Sequence, residues 1–266
     1  MFPYFVLFGR DVGMYSIMTL CGIFTAGIYA CIMAVRQKYD YTELIIFLLI
    51  LSAGTFIASH LLYGLVNYQI IIFAVNNIKK IDTFNKVLDV LKYTIGGSVF
   101  YGGLFGGLLA GYFFIKKNIN YKKYVDIIAV NIPFFHFFGR IGCFLGGCCY
   151  GIPSKIGFVY TKNPIAEANG MSRFPVQLLE AFFNLLLFLL LNYFFKSGKY
   201  KDKLLSIYLL IYATGRFFIE FLRGDAYRGI WLIFSTSQIL SILIVLIVLF
   251  KKYILHIRYK FSKTPS

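Results

Sequence analysis

Apolar residues run along this chain in long blocks. The segments 12–35, 44–78, 93–115 and 229–250 contain no Asp, Glu, Lys or Arg. About 20 apolar residues, as a helix, cross the hydrocarbon core of a bilayer. Three further blocks, 127–150, 174–195 and 204–222, are of spanning length but carry charges, namely Arg140, Glu180, and Arg216 with Glu220. The pattern predicts an all-α integral membrane protein with seven transmembrane helices. Asn67, Tyr68 and Gln69 interrupt the block 44–78, which is counted as one span with room for a surface-lying or re-entrant segment.

Composition agrees: 59% of the 266 residues are hydrophobic, 14% are charged, and the mean hydropathy is +0.73, outside the range of soluble domains. Lysine and arginine then set the direction of insertion. With the N-terminus outside, the inner segments hold fifteen basic residues in short stretches, while the outer ones hold ten in longer loops. The positive-inside bias therefore predicts an outer N-terminus and a cytoplasmic C-terminus. A net charge of +16 follows mostly from this topology and suits anionic lipid surfaces, so the implied partners are membrane lipids and not nucleic acid. The first block lacks a basic region ahead of it and an A-x-A cleavage pattern, and reads as a retained span. No repeat or linker divides the chain, and residues 1–266 read as a single polytopic membrane domain.

Within that frame, the buried charges carry the functional signal. A guanidinium at the centre of a bilayer costs about 2.5–3.5 kcal/mol on insertion scales, so Arg140 and Arg216 are expected to face a site inside the protein. Around Arg140 the chain reads H-F-F-G-R-I-G-C-F-L-G-G-C-C-Y-G, residues 136–151. Small residues here would let a phosphate approach main-chain donors as well as the guanidinium fork. Alternatively, Arg140 is satisfied by carbonyls, Asp126 or Glu180. Arg216, Glu220 and Arg223 follow at i, i+4 and i+7, on one helical stripe, with the glutamate bracketed by positive charge. In R-F-P-V-Q-L-L-E, Pro175 suits the first turn of a helix, and Gln177 and Glu180 then fall at i, i+3 on one face, a helix entry with polar groups aimed inward; the alternative, a solvated helix end at the outer surface, applies to Arg173 more than to Glu180. The glycines of G-G-S-V-F-Y-G-G-L-F-G-G, residues 96–107, either let two helices touch backbone to backbone or form a broken helix lining a polar cavity. His136, Cys143, Cys148 and Cys149 lie close in sequence but contain no C-x-x-C pair. Vicinal cysteines in a helix diverge by about 100°, so the expectation is small packing residues, with no metal and no cofactor.

Four ordered blocks carry a resemblance. G-M-Y ending at Tyr15, F-Y-G-G-L-F-G around Tyr101, Gly102 and Gly103, G-R-I-G-C-F-L-G-G-C-C-Y-G, and the pair R-F-P-V-Q-L-L-E with Y-A-T-G-R-F-F-I-E-F-L-R-G-D are similar to the bacterial prolipoprotein diacylglyceryl transferases. The resemblance implies a multi-pass enzyme of the bacterial inner membrane. Such an enzyme moves a diacylglyceryl group from phosphatidylglycerol to the lipobox cysteine in the signal peptide of a prolipoprotein and releases glycerol phosphate. It places Arg140, Arg216, Tyr101 and Glu220 in catalysis. Tyr15, Gly102, Gly103, Gly142, Cys143, Gly151, Gln177, Glu180 and Arg223 fall to substrate binding. This chain departs from the family pattern at Tyr101, where the family has histidine, and at Cys143, Gly146 and Cys148, where it has asparagine, asparagine and glutamate. These departures leave open a different acceptor, such as a glycan or small molecule, or a membrane anion or thiol carrier.

Overall fold

The structure is a computed structural model, described for residues 3–7, 9–77, 83–97, 99–161, 163, 165–225, 230–231 and 233–262. The long helices follow the apolar blocks: α1 Met14–Arg36, α2 Tyr41–Val66, α5 Phe100–Lys117, α6 Val125–Gly146, α7 Val176–Lys196, α8 Leu204–Ile219 and α9 Thr236–Ser262. Among the described residues, five segments are long and apolar enough to cross a membrane: Met14–Arg36, Tyr41–Val66, Ile119–Gly146, Val176–Lys196 and Leu204–Leu222. Thr236–Phe250 is a shorter apolar stretch. The fold is that of an all-α membrane protein, and among the described residues it also has three short antiparallel pairs the apolar pattern did not anticipate: β1 Tyr4–Leu7 with β2 Arg10–Gly13, β3 Pro153–Val159 with β4 Ser172–Arg173, and β5 Ile230–Trp231 with β6 Phe234–Ser235.

Two predicted spans are broken. The block 44–78 ends as α2 at Val66, where the Asn67 amide donates to the Tyr63 carbonyl at 2.9 Å, and a separate helix, α3 Tyr68–Asn76, follows. The block 93–115 starts inside helix α4, which runs Phe84–Ile95, and a separate helix, α5, starts at Phe100. In both places polar or glycine residues give the backbone an alternative to the helix ladder.

Chain contacts form two units, residues 34–124 and residues 1–33 with 125–266. In the first, α5 lies on α2 through small residues. A Cβ on Gly102 would stand 2.5 Å from the Ala58 carbonyl oxygen and 2.8 Å from Leu62 Cβ, so the backbones approach as only glycine permits. At the end of this pair, a 3₁₀ turn at Ile119–Tyr124 is tied down by Tyr124, whose hydroxyl lies 2.7 Å from both the Asp40 carbonyl oxygen and Glu43 Oε2 and shares its one proton between them. Lys123 pairs with the same Glu43 at 3.0 Å.

The second unit is built on α6, α7 and α8. Tyr29, Phe134 and Phe188 join α1, α6 and α7 in an aromatic cluster, with the last two rings stacked at 4.4 Å. The Tyr29 hydroxyl donates to Asn192 at 2.9 Å. Asp126, one of the partners considered for Arg140, is engaged elsewhere. Its carboxylate accepts the Asp202 and Leu204 amides at 2.6 and 3.1 Å, satisfying donors at the start of α8.

Candidate active site

Glu180 is the hub that links the two intramembrane arginines. From α7 it pairs through Oε1 with Arg140 of α6 at 3.0 Å and through Oε2 with Arg216 of α8 at 2.8 Å. Arg216 is also paired at 2.5 Å with Glu220, one turn ahead of it, and donates to Ser237 of α9 at 3.3 Å. Glu220 lies 3.7 Å from Arg223, whose fork meets Asp225 at 2.8 and 2.5 Å. Burial works against the Arg223 charge, yet its hydrogen bonds to Asp225 and the nearby Glu220 charge outweigh it and raise the guanidinium above its ordinary value.

The predicted stripe Arg216–Glu220–Arg223 is thus present, with Glu220 between the arginines as expected, although the helix tightens to a 3₁₀ turn at Glu220–Leu222. Three guanidiniums face three carboxylates, so the network is balanced. The arginines differ in access: the Arg140 side chain is 21% exposed, against 8% for Arg216 and 10% for Arg223. With five donors on a guanidinium, Arg140 offers the more open edge to an anion, while Arg216 is held between two carboxylates.

The other predicted residues take distinct places. Tyr15 stands at the start of α1 against Gly142, where a Cβ would lie 3.2 Å from Tyr15 Cα and 3.0 Å from Met18 Cβ. Gly151 is a crossing point of main chains: it bridges to Arg223, and a Cβ on it would meet the Phe174 carbonyl. Gln177 is buried and does not join the arginines. Its amide donates to the Cys148 carbonyl at 2.8 Å and to the Tyr160 hydroxyl at 3.0 Å. Burial pushes the Tyr160 phenol up, with the Gln177 hydrogen bond pulling the other way. Gly102 and Gly103 belong to the other unit, on the α5 face that meets α2. The side chain of Tyr101 lies outside the described residues.

Two expectations are corrected. Arg173, read as a solvated helix end, is buried over the Tyr150 ring at 4.3 Å, with donors on the carbonyls of Ala168, Gly151 and Glu167. The loop between α6 and α7 folds around it, so its charge is met by carbonyl dipoles. Second, Cys148 and Cys149 are not helical. α6 ends at Gly146, Gly147 turns with φ +76° and Cys149 sits at φ +55°, so the sulfurs of Cys143, Cys148 and Cys149 lie within 4.8 Å of one another. The divergence argued for vicinal helical cysteines does not apply across such a turn.

Sequence reasoning did not assign Asp225, Ser237 or the tyrosines of α8. Tyr212 donates to Glu180 at 3.5 Å, and Tyr208 lies 3.5 Å from His136 Nδ1. For Asp225 a signal existed in the R-G-D that closes the Arg216 block; Ser237 carried none.

Known proteins are similar to this chain in sequence. The sequence profile of the prolipoprotein diacylglyceryl transferases matches residues 3–254. A protein of Clostridium tetani named phosphatidylglycerol–prolipoprotein diacylglyceryl transferase is 33% identical over 249 residues, covering 92% of this chain and 94% of its own. Proteins of the same name in Clostridioides difficile and Campylobacter lari are each 29% identical. The first aligns over 84% of this chain and 83% of its own, the second over 94% and 92%. With the match spanning nearly its whole length, the chain belongs to the prolipoprotein diacylglyceryl transferase family.

Proposed function

We propose that the protein transfers a diacylglyceryl group from phosphatidylglycerol to the lipobox cysteine thiol of a prolipoprotein signal peptide, releasing glycerol phosphate. The reading extends to a single polytopic domain of the bacterial inner membrane, with seven spans, the N-terminus outside and the C-terminus in the cytoplasm. Family membership supports the reaction. The observation that carries the site is the partly open Arg140 edge at the end of a buried, charge-balanced network.

The chemistry is a displacement at an sp³ carbon. The acceptor thiolate forms a C–S bond while the C–O bond to phosphate breaks, its electron pair leaving with glycerol phosphate. The thiolate is the competent nucleophile, and negative charge grows on the leaving phosphate. Arginines fixed in advance lower that barrier, because their dipoles need no reorganisation as the charge develops. Arg140 binds the lipid phosphate through its accessible edge. Arg216, clamped by Glu180 and Glu220, supplies positive charge behind it. Glu220, Arg223 and Asp225 hold that clamp. Tyr15, Gly142 and Gly151 shape the entrance from α1 and the α6–α7 loop, and the family resemblance assigns Gly102 and Gly103 to substrate binding and Tyr101 to orienting the acceptor.

The test is incubation of the purified protein with phosphatidylglycerol and a lipobox peptide, followed by mass spectrometry. A peptide heavier by one diacylglyceryl group, with glycerol phosphate released in equal amount, is expected. Full transfer by Arg140→Ala or Arg216→Ala would remove the assignment of these arginines.

A further inference from the structure

The thiols of Cys143, Cys148 and Cys149 make no ion pair within the arginine–carboxylate network, and all three are free of disulfides. We propose that they form a three-thiolate site for a zinc-class divalent cation, with the fourth coordination position open to an exogenous thiol. Three sulfurs placed about 2.3 Å from a tetrahedral zinc stand roughly 3.8 Å from one another, inside the 4.8 Å that bounds this cluster. A disulfide would engage two of them and leave the third. A single cation engages all three.

The backbone is arranged to make them converge. Cys149 adopts a left-handed conformation that is unfavourable for a residue with a Cβ, and this turns its side chain back toward Cys143 at the end of α6. The turn is braced from three sides: Asn163 donates to the Gly147 carbonyl at 2.6 Å, Gln177 to the Cys148 carbonyl at 2.8 Å, and Arg173 covers Tyr150. Three thiolates around a divalent cation carry one net negative charge. The Arg223 and Arg140 guanidiniums bear electrostatically on Cys149 and oppose that charge.

Cys143 is buried while Cys148 and Cys149 are partly exposed, so the cluster opens on one side. Three protein ligands and an open position are the arrangement of catalytic zinc, and a coordinated thiol is deprotonated outright. The ligand class is therefore a thiol. This last step rests on the proposed function: the lipobox cysteine would lose its proton to solvent on binding, then displace the phosphate as described above.

Cobalt(II) is the probe. Chelator-treated full-length protein in detergent should bind one Co²⁺ per chain, with a thiolate-to-cobalt charge-transfer band that Zn²⁺ removes. Cys143→Ser should lose the band. Cys149→Gly should lose it too while keeping the thermal midpoint, since glycine adopts the left-handed turn without strain. Absence of the band in the parent, or its persistence in both variants, overturns the site. Addition of a lipobox peptide should shift the cobalt d–d bands, and a cysteine-to-serine peptide should not; no shift with either overturns the open position. The transfer assay is read separately. Cobalt binding without lipidation of the peptide supports the site and sinks the transferase reading, whereas undiminished lipidation by Cys143→Ser overturns thiol activation by the cluster.

Discussion

Removing Glu180 tests the ion network most directly. Its side chain is 3% exposed, and the carboxylate bridges Arg140 at 3.0 Å and Arg216 at 2.8 Å. Breaking a buried pair by deleting one partner costs about 3–5 kcal/mol, because the other charge is left without compensation. Two features place Glu180→Ala at the lower end. Arg140 is 21% exposed, so its charge is less completely desolvated than that of a fully buried partner. Arg216 keeps Glu220 at 2.5 Å. The expectation is a destabilisation of about 3 kcal/mol, or a thermal midpoint lower by roughly 6–12 °C at about 2–4 °C per kcal/mol. Glu180→Gln, which keeps the shape and one acceptor, should fall between. The assay is thermal unfolding in detergent, read beside transfer rates. Arg140→Ala in the Glu180→Ala background should add less than its own single effect, since the two residues share a contact. An alanine variant melting within about 2 °C of the parent, or strict additivity with Arg140→Ala, would refute the bridge.

Arg140→Lys keeps the charge but loses the planar fork; a lost hydrogen bond to a charged group is worth about 1.5–3 kcal/mol. The expected drop is roughly tenfold or more in kcat/KM for phosphatidylglycerol, with an unfolding midpoint near that of the parent. Gly102→Ala inserts a Cβ 2.5 Å from the Ala58 carbonyl oxygen and should cost about 1–3 kcal/mol by overpacking α2 against α5, measured by chemical unfolding. Tyr124→Phe removes the hydroxyl that bonds Asp40 and Glu43; about 1–2 kcal/mol of stability should go, with little change in transfer rate.

The limits of sequence reading follow from how far each interaction reaches. Arg216, Glu220 and Arg223 lie within two turns, and helical periodicity alone puts them together. Glu180 is another matter. It is 40 positions from Arg140 and 36 from Arg216, and its role as their bridge exists only because α6, α7 and α8 pack side by side. Arg173 read as a helix end for the same reason: its partners are loop carbonyls, and carbonyls have no sequence signature. The cysteine turn was hidden because two residues at positive φ, Gly147 and Cys149, end a helix that composition alone would have continued.

The order of residues was enough to set the solvent of this protein and its span-length helices, because burying apolar side chains in lipid is a property of blocks of residues. It also determined that Arg140 and Arg216 need a protected site, since a guanidinium facing lipid is too costly to retain without a role. Which carboxylate meets which arginine, which guanidinium keeps an open edge, and the convergence of three thiols all came from packing in three dimensions. Those outcomes depend on distances of 3–5 Å between segments far apart in the chain, and packing of whole helices and loops sets such distances.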